Sequence, residues 1–393
     1  MILLLLLPLL LSLLLGVWLW WPVARPGRQR RWCVGLAFAV GPLLQLMTWL
    51  WRRHVFGDAA SAWIQLLSGW LMVALMLALA FALLRDLLWL PARLSRRAAA
   101  LCAFLHGMRL HRIALVLVAA LATLGTYNGL KPPEVHEREI VLASLPPELD
   151  GLRVAVLADI HASPVKGAWR TRRIVDDVLA ARPDLIVLPG DMVDGQVAGN
   201  AGNVAALAEL HAPHGVWVAP GNHEYYSNYA EWMAHFRQLG LGVLENRTAK
   251  LAINGRTLAV SGVGDLAFYQ RGDLVHGGIA PDLPAVVRQA AGSDFHILLA
   301  HQPKQARAAA ATGAIDLQVS GHTHGGHILG MDRWLVAPAN DGYVRGDYRV
   351  GGMTLFVSAG AGQWDGFSAR LGVPSSIDVL VLRRAGAHRG GRD

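Results

Sequence analysis

The chain changes character once along its length. Up to about residue 130 apolar residues run in long, almost uncharged stretches, and beyond it short apolar runs alternate with helix-patterned polar segments. Four stretches, at about 1–21, 32–51, 62–84 and 113–130, approach the ~20 residues a helix needs to cross a hydrocarbon core. They predict a transmembrane region of four helices over residues 1–130. Trp18, Trp20, Trp21, Trp49 and Trp51 fall at span ends, where indoles favour the headgroup layer. The first span lacks a basic leader and exceeds the usual apolar core of a signal peptide, so it is expected to stay attached. Ala98–Met108 is too short to span and is expected at the interface.

After this region the period changes. Residues 131–150 read as a juxtamembrane linker and domain entry, because Pro132, Pro133 and the charged stretch through Glu139 hold the chain away from helix. Residues 151–385 read as one α/β domain, and 386–393 as a disordered tail. Within the domain, strands are predicted at Arg153–Ala158, Asp184–Leu188, Val216–Ala219, Gly242–Glu245, Lys250–Ile253, Thr257–Val263, His296–Ala300, Leu317–Ser320, Thr354–Ser358 and Asp378–Leu382. Helices are predicted at Trp169–Ala181, Asn203–His211, Tyr229–Leu239, Pro284–Ala291 and Pro303–Ala311. So many strands between helices imply two sheets packed together.

Charge adds orientation. The net charge of +8 divides into +10 for residues 1–130 and −2 for the remainder, so the basic character belongs to the apolar half. Its arginines lie beside spans and not along one face of a soluble domain, which disfavours nucleic acid as a partner. Arg25, Arg28, Arg30 and Arg31 fill the first connection, and Arg85, Arg93, Arg96, Arg97, Arg109 and Arg112 the third, whereas the second carries only Arg52 and Arg53. Positive connections stay cytoplasmic, so four spans place everything after Leu130 outside the cytoplasm, as in a bacterial inner or plasma membrane. The polar groups inside the spans are neutral, such as Gln45, Gln65, Ser68 and Thr123, which argues against a transport role. Cys33 and Cys102 both lie in the apolar half, excluding thiolate chemistry from the domain.

Candidate chemistry sits in five short motifs, each following an apolar run: Asp159-Ile160-His161, Gly190-Asp191-Met192-Val193-Asp194, Gly221-Asn222-His223-Glu224, His301, and Gly321-His322-Thr323-His324. Open α/β sheets bind ligands at strand ends, where these carboxylates, imidazoles and one amide would converge on a crevice suited to divalent cations. Any one motif alone reads as an ordinary loop histidine or a Gly-Asp turn. Five in this order do not.

The set resembles the calcineurin-like metallophosphoesterases, in their membrane-anchored bacterial branch, over roughly Leu152 to Leu382. That resemblance implies a four-layer α/β/β/α sandwich, here preceded by the four-helix region, and a centre of two divalent metal ions: Mn, Fe, Zn or Co. By position, Asp159, His161 and His324 match the ligands of one metal and Asn222, His301 and His322 those of the other, with Asp191 bridging. His223 matches the histidine that contacts phosphate and protonates the leaving oxygen. Asp194 is expected behind the ligands, and His327 at the pocket wall, where the sequence has histidine and relatives often have glutamine. Arg370, in a glycine-rich strand and loop, is expected to meet a phosphate or a structural carboxylate. The implied activity is hydrolysis of a phosphomono-, phosphodi- or pyrophosphate bond by metal-activated water, on a lipid or envelope phosphate ester. Alternatives are a cytoplasm-facing pyrophosphatase of lipid A precursors and a non-catalytic membrane scaffold on the same fold.

Overall fold

A computed structural model describes residues 2–52, 55–271, 277–367 and 369–386. Arg53 and all but the first residue of the expected tail lie outside these. The described chain forms two compact units, one of residues 1–128 with 365–369, the other of 129–364 with 370 onward.

The first unit is helical. Among the described residues three helices are long and apolar enough to cross a membrane: Arg28–Trp51, Gly57–Ala92 and Met108–Leu130. The first expected span, 1–21, is helical over Ile2–Leu15 and Gly16–Trp20, but its apolar stretch, Pro8–Trp20, is shorter than the other three. Close approach of the helices relies on small residues: Ser12 donates to the Phe38 carbonyl at 3.2 Å, and Gly41 leaves room for it. The third expected span, 62–84, lies inside a 36-residue helix. That longer helix brings charge into the bundle. Arg85 is buried, donating to Asp86 at 2.7 Å and meeting His111 at 3.1 Å, while Trp18 donates to Asp86 at 2.6 Å. The expected interfacial stretch contains one short helix, Ala99–Leu105.

The second unit holds twelve described strands: β1 Glu134–Leu142, β2 Arg153–Val156, β3 Leu185–Leu188, β4 Val216–Val218, β5 Gly242–Val243, β6 Arg247–Ile253, β7 Arg256–Gly262, β8 Phe295–Leu299, β9 Leu317–Ser320, β10 Gly346–Val350, β11 Met353–Val357 and β12 Ser376–Arg384. They form two six-stranded sheets, ordered β1-β12-β2-β3-β4-β5 and β10-β11-β9-β8-β7-β6. Val154, Val156, Leu185 and Val187 of one sheet meet Leu258, Val260, Ile297 and Leu317 of the other in a dry core between them. Alternate residues of the first sheet, such as Ala155, Ile186 and Leu188, face outward onto the helices Gly167–Ala180 and Tyr229–Gln238, where Trp232 and Phe236 are fully buried. The second sheet is covered by Leu283–Ala290 and Ala306–Ala311. Helix, sheet, sheet and helix make the four expected layers.

Two strands depart from the sequence reading. Only Lys131–Pro133 separate the last apolar helix from β1, so nine residues of the expected linker form an edge strand in which just Ile140 and Leu142 turn inward. Its charged residues keep the outer positions, as edge strands require. β10 is likewise half-buried and carries no apolar run. β1 runs parallel to β12, and β12 antiparallel to β2, so the chain enters the unit at the edge where β2 ends.

Candidate metal centre

β2, β3 and β4 of the first sheet and β8 and β9 of the second all point their C-terminal ends at one edge, and every motif follows one of those ends. The turns there are tight. Asp159, His161, Asp191, His322 and His324 have φ between 47° and 73°, five of the eleven described non-glycine residues in that region. Each such backbone costs of order 1–3 kcal/mol, so the surrounding packing must hold it. Glycine makes room where the chains cross: a methyl at Gly221 would overlap the Asp191 carboxylate, and one at Gly321 the Asp159 carboxylate.

The seven predicted ligand residues come together. Asp159, His161 and His324 offer donor atoms within 4.8 Å of one another, and so do Asp191, His301 and His322. Asn222 Oδ1 lies 2.8 Å from His322 Nδ1 and 3.1 Å from His301 Nε2. Asp191 Oδ2 reaches both groups, 3.1 Å from His301 Nε2 and 3.6 Å from His161 Nε2. The decisive contact is between His161 and His324, whose Nε2 atoms face each other at 3.2 Å. His161 Nδ1 already faces Asp194 at 2.9 Å, and His324 Nδ1 faces the Gly362 carbonyl at 3.2 Å. With each Nδ1 donating its proton, two lone pairs point at one another, which a cation between them would satisfy. His301 follows the same rule, its Nδ1 donating to the Pro189 carbonyl at 2.9 Å.

Electrostatics divide the candidate donors, and burial raises the Asp159 carboxyl. Burial, reinforced by neighbouring His301, pushes the His322 imidazolium down to about 3, and burial also depresses His324, leaving both rings neutral. Burial opposes ionisation of Asp191 and Asp194, but the adjacent imidazoles outweigh it and hold both carboxyls below their ordinary range. His301 behaves differently, since burial is outweighed by Asp191 and the ring is raised to about 10, and so does His223. Burial works against its charge, yet Asp191 and Asp194 overcome this and raise it to about 9. Its Nδ1 lies 2.7 Å from Asp194 Oδ1, the same oxygen that faces His161. The ring stands edge-on to His161 at 4.5 Å and to Trp364 at 5.8 Å.

The remaining predicted positions are placed as follows. His327 packs its ring 4.7 Å from that of His324. Arg370 is buried and donates to the carbonyls of His324, at 2.7 Å, and Ala359, at 2.8 Å. It thus ties the glycine-rich loop to the last motif. Sequence reasoning also left Glu224 without a role. This fully buried carboxylate accepts from Gly221, Asp191 and Met192 N–H groups at 2.7, 3.0 and 2.7 Å, locking two ligand loops together. Arg170 does the same between Ala361 and Lys131. Partners so distant in sequence leave no local signal.

The profile of the calcineurin-like phosphoesterases matches residues 152–326. A transmembrane protein with a metallophosphoesterase domain from Danio rerio is 32% identical, over 84% of this chain and 76% of its own length. The chain belongs to the calcineurin-like phosphoesterase family. An uncharacterized metallophosphoesterase of Helicobacter pylori is 33% identical over 66% of each chain, and the Bos taurus transmembrane protein with a metallophosphoesterase domain is 31% identical over 70% of this chain and 62% of its own. This metallophosphoesterase therefore spans about two thirds of the length of those two relatives. Its motifs all fall within the matched region, and its apolar helices accord with the transmembrane naming of two of the three relatives.

Proposed function

We propose that this chain hydrolyses a phosphomono-, phosphodi- or pyrophosphate bond with water activated at a pair of divalent cations, and that its substrate is a lipid or envelope phosphate ester outside the cytoplasm. The observation that carries this reading is the pair of imidazole nitrogens His161 Nε2 and His324 Nε2, facing each other at 3.2 Å with their outer nitrogens already engaged. Asp159, His161 and His324 would hold one cation, Asn222, His301 and His322 the other, and Asp191 would reach both. Bound there, the cations supply an acidic water and positive charge for the phosphoryl oxygens. His223 would give a proton to the leaving oxygen, while Asp194 fixes its ring. Glu224 keeps the Asp191 and Asn222 loops in register.

The lipid preference is supported by the three residues, Lys131–Pro133, between the last apolar helix and β1, a reach of roughly 10 Å at full extension. The arginine-rich connections support the extracytoplasmic placement. The test is full-length protein in detergent, stripped of metal and reloaded with Mn, Fe, Zn or Co, assayed on monoester, diester, pyrophosphate and lipid substrates. Asn222→Ala should lose metal. His223→Ala should keep it and slow cleavage most for poor leaving groups; equal metal loss in both variants, or no hydrolysis of any class, overturns the reading. Activity of a C-terminal alkaline phosphatase fusion would support the outer placement, and an inactive fusion would refute it.

A further inference from the structure

Eight large apolar or aromatic residues of the catalytic unit stand exposed among the described residues, and six of them share one edge. Trp169 lies at the start of the helix that follows the Asp159 motif, Tyr226 ends the helix begun by Asn222, and Tyr269 follows β7. Leu329, Trp334 and Leu335 lie on the segment leaving the last histidine motif. Their exposures are high: 77% for Trp334, 66% for Leu329, 65% for Tyr269 and 58% each for Trp169 and Leu335. Since β2, β4, β7 and β9 all end at the catalytic edge, these side chains ring the metal centre. The other two, Val135 and Val141, lie on β1.

The ring is built, not frayed. Arg345 bonds Asp332 at 3.1 Å, Gly326 packs against Asp332, the Leu329 N–H donates to the Leu371 carbonyl at 3.0 Å, and Asn340 donates to the Val336 carbonyl at 3.0 Å. A braced turn that presents Trp334 and Leu335 to the outside, with Arg333 5.9 Å from the Trp334 ring, has the amphipathic composition of a segment seated in a headgroup layer. The tether enters on the same edge. Glu134 N bonds the Ser375 carbonyl at 3.2 Å, Ser376 N bonds the Gly360 carbonyl at 3.0 Å, and Gly360 lies against Asp159. The Lys131 carbonyl is held by Arg170, which also holds Ala361. The start of β1 therefore lies a few residues from a candidate ligand.

We propose that this aromatic and aliphatic rim docks in the surface of the bilayer and offers the metal centre to a phosphate ester carried on a membrane lipid. The identity of the reaction rests on the phosphoesterase reading, whereas the docking does not. The test uses the full chain, with Cys33→Ser and Cys102→Ser, reconstituted in vesicles of phosphatidylethanolamine and phosphatidylglycerol. A nitroxide is placed at Trp334→Cys, Leu335→Cys or, as a control on the exposed face of the helix Leu283–Ala290 over the second sheet, Arg288→Cys. Collision with oxygen and with a water-soluble nickel chelate is then measured. Labels at 334 and 335 should favour oxygen, and the label at 288 the chelate. A Trp334→Ala/Leu335→Ala chain should lose roughly tenfold or more in turnover of a vesicle-borne phospholipid, equivalent to about 1.4 kcal/mol of lost docking, and keep its turnover of a soluble aryl phosphate. Labels that meet the chelate as freely as 288 overturn the proposal whatever the enzyme hydrolyses, and so does strong spin coupling between labels, which would mark a second copy as the occupant. Labels in lipid together with no hydrolysis of any ester support the docking and refute the phosphoesterase reading instead.

Discussion

Replacing Asp194 by Asn separates two functions that meet on one atom. Oδ1 of Asp194 faces His161 Nδ1 at 2.9 Å and His223 Nδ1 at 2.7 Å, in a site where the carboxyl is buried and ionised. A charge-assisted hydrogen bond contributes ~1.5–3 kcal/mol and a neutral one ~0.5–1.5 kcal/mol, and the amide oxygen can still accept. The substitution should therefore cost about 1–1.5 kcal/mol at each imidazole, or roughly five- to twelvefold for each effect. On the His161 side this should appear as weaker metal binding, measured by competition with a fluorescent chelator. On the His223 side it should appear at saturating metal as a lower kcat. That loss should grow with the basicity of the leaving group across a series of aryl phosphates, because a ring less often protonated and less firmly oriented supplies less of the proton transfer that basic leaving groups require. The circular dichroism should not change. An Asp194→Asn enzyme within twofold of wild type in both metal affinity and leaving-group slope would refute the pairing.

Gly321→Ala should abolish metal binding without unfolding the chain, because its methyl meets the Asp159 carboxylate; full occupancy by plasma emission analysis would contradict this. Glu224→Ala leaves three buried N–H groups without an acceptor and should cost about 3 kcal/mol or more, read as a fall in denaturant midpoint. Trp232→Ala, in the helix layer, should cost ~3–5 kcal/mol, read as a fall in denaturant midpoint. In chelator-treated protein His223 is raised to about 9 from its ordinary 6.5, so its ion pair with Asp194 stabilises fully below about pH 6.5 and is lost as pH rises through 9. The melting temperature of wild type minus that of His223→Gln should shrink across that window, and a constant difference would count against the raised value.

The parts of the fold legible in the sequence are those with a period. β2, β3, β8, β9 and β11 are rich in apolar residues and buried at almost every position because both faces are covered, and their ends were predicted within a residue or two. β1 was not legible, since an edge strand buries only Ile140 and Leu142 and fills its other places with charge. The helix expected at Asn203–His211 begins earlier, at Val197, and narrows after Val204 to three residues per turn, where small residues give no clear stripe. The site's candidate ligands were legible because metal ligation demands specific residue types at specific spacings. Glu224, Arg170 and Arg370 were not assigned roles, because what they hold are backbone groups, and any sequence can supply a carbonyl or an N–H. The exposed rim was invisible for another reason: Trp334 and Leu335 look like core residues until the fold shows that they turn outward.

Electron paramagnetic resonance of the full chain loaded with manganese examines the dinuclear centre itself. Asp191, reaching both groups of imidazoles, should bring two ions close enough for exchange coupling, giving two manganese per chain and a spectrum that collapses to the six lines of an isolated ion in Asn222→Ala. Wild-type protein that shows only the isolated-ion spectrum, or binds no manganese, would contradict a paired site at these residues.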